Sequence, residues 1–61
     1  MKLSAQDRKY LAQVANEIEV QAGYQARGAK MRGLKPHLRR LYAMRALDLR
    51  AQARIIRGWL R

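Results

Sequence analysis

Residues 36–61 read PHLRRLYAMRALDLRAQARIIRGWLR, and this run decides the fold. Pro36 fits the first position of a helix, where its missing N–H has no intrahelical partner to lose. After it, nothing interrupts a helical pattern before Gly58. With successive residues turning by about 100°, Leu38, Leu41, Tyr42, Leu49, Ala53, Ile56, Trp59 and Leu60 fall within an arc of roughly 120°. That arc is an apolar face, and Tyr42 and Trp59 are expected to anchor a core. Met44, Leu47, Ala51 and Ile55 form a second apolar stripe on nearly the opposite side. A helix with two apolar stripes has two packing partners, so a single neighbouring helix leaves one stripe for a dimer, a larger assembly or another protein.

Upstream, Ser4 followed three residues later by Asp7 resembles a capping box, with the acid placed at the positive end of a helix. Leu11, Val14, Ala15, Ile18 and Ala22 then repeat at helical spacing and make one face. Gly23 is the first plausible stop. Ala22, Ala26 and Ala29 would let the helix run on to about residue 31, because an isolated glycine costs only about 1 kcal/mol relative to alanine. Between the helical patterns, Gly23, Gly28 and Gly33 recur every five residues, with Arg27 and Arg32 just before the second and third. The plain reading is a flexible basic loop; the sharper one is a backbone that follows a phosphate chain. The expected architecture is all-α and a single domain over residues 1–61. It is a helical hairpin with a neutral packing helix at 4–23, a basic connector at 24–35 and an arginine-rich helix at 36–60. A variant with a short third helix at 24–32 would approach a helix-turn-helix. Two hairpins are expected to associate through the remaining stripes into a small bundle.

Charge divides the chain. Lys2, Arg8 and Lys9 balance Asp7, Glu17 and Glu19, so residues 1–23 are neutral. The other eleven basic residues face Asp48 alone, which places the whole net charge of +10 in residues 24–61. Nine of those eleven are arginine, the planar and weakly hydrated cation suited to phosphate and carboxylate forks. Arg39, Arg50, Arg54, Arg57 and Arg61 occupy one flank of the second helix, with Arg40 slightly outside. At about 1.5 Å per residue the row from Arg39 to Arg61 spans roughly 33 Å, close to one turn of duplex DNA. Like charges four apart repel by a few tenths of a kcal/mol per pair, a strain that a polyanion relieves through counterion release. Asp48 is the one acid near this row and lies on another side, so the row is expected to stay unsatisfied within its own chain. A solvated face, or pairing with Glu17 and Glu19 of another subunit, are the competing readings.

Catalysis is not expected. His37, beside Pro36, reads as a helix-start residue, and there is no second histidine and no cysteine for a metal cluster. Glu17 and Glu19 point to different sides of a helix and make no carboxylate pair. Ser4 is the sole serine and reads as a cap, and Lys35 precedes Pro36 where a phosphate loop requires Ser or Thr. No cofactor and no metal are expected. No apolar run approaches the roughly 18 residues of a membrane span and no signal peptide is visible, so a cytoplasmic protein without a membrane role is expected. The expected partner is nucleic acid, DNA or RNA, held by Arg27, Lys30, Arg32, Lys35, Arg39, Arg40, Arg50, Arg54, Arg57 and Arg61. Met44, Leu47, Ala51 and Ile55 are the expected oligomer or partner interface. A transcriptional or nucleoprotein regulator of viral or mobile-element size fits this reading. The alternative is an inhibitor or adaptor that binds an acidic protein surface with the same arginines.

Overall fold

The computed structural model describes residues 2–61 and contains two helices, α1 at Ala5–Gly28 and α2 at Pro36–Trp59. The protein is an all-α helical hairpin. Its antiparallel sense follows from contacts at both ends. Arg8, near the start of α1, donates from Nη1 to the Leu60 carbonyl at 2.7 Å. At the other end, a Cβ placed on Gly28 would lie 3.0 Å from the Tyr42 ring. Neither helix is long and apolar enough to cross a membrane.

The helix ends follow local chemistry. Ser4 is extended at φ −69°, ψ 163°, and its Oγ accepts from the Asp7 N–H at 3.0 Å, satisfying one of the donors that a helix start leaves open. Asp7 sits in the first turn, where its charge complements the helix dipole. α1 ends in tighter turns, with the Lys30 N–H donating to the Arg27 carbonyl at 3.0 Å and the Met31 N–H to the Gly28 carbonyl at 3.2 Å. Gly33 then takes φ +74°, a backbone state that a side chain disfavours, and turns the chain back. Lys35 is extended, as the residue before a proline tends to be, and Pro36 opens α2 as the sequence predicts.

Of the two expected ends of the first helix, Gly23 and about residue 31, the observed one lies nearer the second. α1 does not stop at Gly23 but runs through it to Gly28, so residues 24–28 are helix and no separate short helix occupies 24–32. The connector shrinks to residues 29–35, and Arg27 sits on a helix rather than in a loop. The physical reason is that Ala22 and Ala26 on either side keep helical propensity high, while the lower half of α1 gains packing against α2.

The seam between the helices is built from alanine. Ala15 and Ala22 on α1 and Ala46 and Ala53 on α2 are the buried residues. They alternate with larger half-buried side chains: Leu11, Ile18 and Gln25 on α1, and Tyr42, Leu49, Ile56 and Leu60 on α2. Both series step by four and three, the 3.5-residue repeat of a coiled-coil seam, and the small residues let the two backbones approach closely. One polar atom is trapped there: Gln25 Oε1 is buried without a hydrogen-bond partner.

This seam corrects the expected face of α2. Tyr42, Leu49, Ala53, Ile56 and Leu60 do pack inward, but Leu38, Leu41 and Trp59 are exposed, and Trp59 at 59% is no core anchor. The buried Ala46 was not on the expected face. Met44, Ala51 and Ile55 lie away from α1, while Leu47 borders a hollow that α1 also lines; all four stay exposed, so the first helix fills one apolar stripe of α2 and leaves the other bare.

Candidate functional site

Glu19, Arg50, Arg54, Arg57 and Arg61 line an open cleft of about 490 Å³ along one edge of the hairpin. Arg50, Arg54 and Arg57 step along α2 by four and three, so helical geometry stacks them on one flank, and Arg61 follows four residues on, just past the helix end at Trp59. α1 supplies the opposite wall. Four cations against one carboxylate leave this cleft with an excess of three positive charges.

Arg57 is held in place rather than free. Its Nε donates to Glu19 Oε1 at 2.6 Å and its Nη2 to Asn16 Oδ1 at 2.7 Å. Asn16 and Glu19 are one helical turn apart on α1, so both reach the same guanidinium. The expectation that the arginine row goes unsatisfied within its chain therefore fails at Arg57. Glu19 pairs inside the hairpin, not with another subunit. The hydrogen bond from Arg57 lowers the Glu19 pKa below its ordinary value, burial opposing and the guanidinium charge assisting. The same bond holds Arg57 more firmly protonated. Two of the five N–H groups of the guanidinium are used, which leaves three for a ligand. Among the described residues this is the one salt bridge, so Arg50, Arg54 and Arg61 enter the cleft with no carboxylate of their own.

The other predicted cations lie elsewhere. Arg39 Nη2 makes a long contact of 3.5 Å to the Met31 carbonyl and braces the connector. Arg32 and Lys35 are exposed in the connector, and Arg40 lies on the outward side of α2. Arg27 packs its guanidinium 5.0 Å from the centre of the exposed Tyr24 ring, a cation–π contact, and lines neither the cleft nor the hollow beside it. Lys30 reaches the same edge as the arginine row, where it joins Ala26, Ala29, Ala43, Leu47 and Arg50 around a second hollow of about 290 Å³. The structure thus gathers Lys30, Arg50, Arg54, Arg57 and Arg61 on one edge and disperses Arg27, Arg32, Lys35 and Arg40.

Three residues that shape this side of the hairpin were not read from the sequence in these roles: Asn16, Glu19 and Arg8. The 16/19 spacing puts the first two on one flank of α1, but which guanidinium they meet depends on the register of the two helices. His37 is exposed in the first turn of α2. Among the described residues no group of three or more His, Cys, Asp or Glu side chains is placed to hold a metal ion. Compared with models of known protein families, with curated proteins and with solved structures, the chain matches none.

Proposed function

We propose that this protein binds nucleic acid through phosphate contacts and acts as an accessory or regulatory factor rather than as an enzyme. The observation that carries this reading is the cleft of Arg50, Arg54, Arg57 and Arg61 with Glu19 as its single acid. Arg50, Arg54 and Arg61 provide forks for phosphate oxygens with no carboxylate of their own, and Arg57, fixed by Glu19 and Asn16, provides an oriented one. Lys30 extends the same edge, while Arg32 and Lys35 add charge at the connector. Such contacts position a polyanion and give affinity without reading base sequence. A small regulator of transcription or of a nucleoprotein complex suits a surface of this kind. Of the expected interface Met44, Leu47, Ala51 and Ile55, we assign Met44, Ala51 and Ile55 to self-association into a bundle, and Leu47, which borders the hollow beside Lys30, to the groove.

Fluorescence anisotropy tests the reading. The protein is titrated into labelled random duplex DNA and single-stranded RNA at two salt concentrations, with its mass read by light scattering. Binding that weakens steeply with salt is the expected result. No binding at low salt contradicts it. A second reading, an inhibitor or adaptor on an acidic protein surface, is favoured by the exposure of Met44, Leu47 and Ile55. It predicts a flatter salt response and loss of activity in Leu47→Asp with the arginine row intact.

A further inference from the structure

We infer that this edge of the hairpin is a single-strand site, in which an apolar trough takes an unpaired base while cations at both of its ends hold the flanking phosphates. This rests on the nucleic-acid reading above. The trough is the hollow lined by Ala26, Ala29, Lys30, Ala43, Leu47 and Arg50. Arg50 lines both the trough and the arginine cleft, so the two are sections of one groove. Its α2 wall is Ala43, Leu47, Arg50, Arg54 and Arg57, stepping by four and three along a single helical flank, with Arg61 just beyond the helix end.

The order of chemistry along the groove is cation, apolar trough, then a run of cations. Lys30 stands at one end of the trough, alanine methyl groups and the Leu47 side chain form its walls, and Arg50 opens it to the cleft. Leu47 is 63% exposed, a large apolar side chain that α1 leaves uncovered. A duplex presents phosphates and polar groove edges, with the faces of its bases stacked inside, and gains nothing from apolar walls. A single strand offers phosphates and splayed base faces together. Arg50 suits such a junction, because a guanidinium both pairs with phosphate and stacks its plane on a base.

The test uses the full chain and anisotropy with labelled 12-nucleotide oligo(dT) and oligo(U), against a duplex carrying the same number of phosphates. The expected result is about tenfold tighter binding of the single strands, the size of one base contact. Leu47→Lys separates the causes. It raises the positive charge, so a purely electrostatic surface binds every polyanion more tightly. The trough predicts instead that the single-strand advantage disappears while duplex binding holds or rises. Arg50→Lys, which keeps the charge and loses the plane, is expected to weaken single-strand binding alone. Circular dichroism checks that both variants remain helical. Equal binding of single strand and duplex by the native protein, or tighter binding of both by Leu47→Lys, overturns the inference and leaves the phosphate reading standing. If no nucleic acid binds even at low salt, both fall. Tighter binding of a phosphate-free helical peptide with Leu and Glu on one face, abolished in Leu47→Lys, overturns it in favour of a protein partner.

Discussion

At the scale of single residues, the arrangement around Arg57 decides how the edge works. An arginine on an exposed flank ordinarily samples many rotamers, and ordering it costs entropy when a ligand binds. Glu19 and Asn16 hold this one in advance, so on the proposed reading a phosphate would meet a guanidinium already in place. Glu19 has a cost as well as a use, because its charge subtracts from the cleft. The linkage has a definite sign. A carboxyl whose folded pKa is depressed adds stability above its unfolded value, and that contribution is lost as pH falls through the folded value. Carboxyl NMR titration is expected to place the Glu19 midpoint below the ordinary glutamate value and to return it there in Arg57→Gln. A midpoint unaffected by Arg57→Gln means that the pair does not form in solution.

At the scale of the elements, the ends of the helices were legible in the sequence because their causes are local. Ser4 with Asp7, and Pro36, act within one turn of themselves. The inward phase of α2 was not legible in the same way. Leu38, Leu41 and Trp59 carry more apolar surface than any alanine, and weighting by size rotates the face toward them. The seam instead selects residues small enough for two backbones to approach, which puts Ala46 and Ala53 inside and Trp59 out. The alternation of large and small residues at four and three was the better signal. Within the site, the row of Arg50, Arg54, Arg57 and Arg61 was visible as spacing. The Glu19 counter-charge was not, because it depends on the register of one helix against the other. Gly23 gives the element-scale prediction. It lies inside α1 with open space where a Cβ would go, the nearest atom being Arg27 Nη2 at 4.0 Å. Gly23→Ala is therefore expected to stabilise the hairpin by about 0.5–1 kcal/mol in urea unfolding. A loss of stability there contradicts a continuous α1.

At the scale of the whole molecule, the hairpin is a rod of 47 × 15 × 11 Å with a radius of gyration of 14.5 Å. A compact chain of this length has about 10.5 Å. It exposes 5264 Å², where a compact protein of 7.1 kDa exposes about 4,100 Å². Among the described residues, a core of four buried alanines and no large fully buried side chain removes little apolar area from water. The extra surface is organised: one edge is basic and the outward side of α2 is apolar. If the hairpin binds the proposed polyanion, it gains stability by mass action, since binding favours the folded state. If the arginine cleft neutralises phosphates, the salt dependence of binding counts them. The decisive measurement is the slope of log K against log salt for the native protein and for the triple variant Arg50→Gln, Arg54→Gln, Arg61→Gln on the same single-stranded oligonucleotide. Each phosphate no longer neutralised is expected to reduce the slope by about 0.7 on a single strand, so the variant should be shallower by about 2. An unchanged slope contradicts phosphate binding in the cleft and moves the binding surface away from this edge.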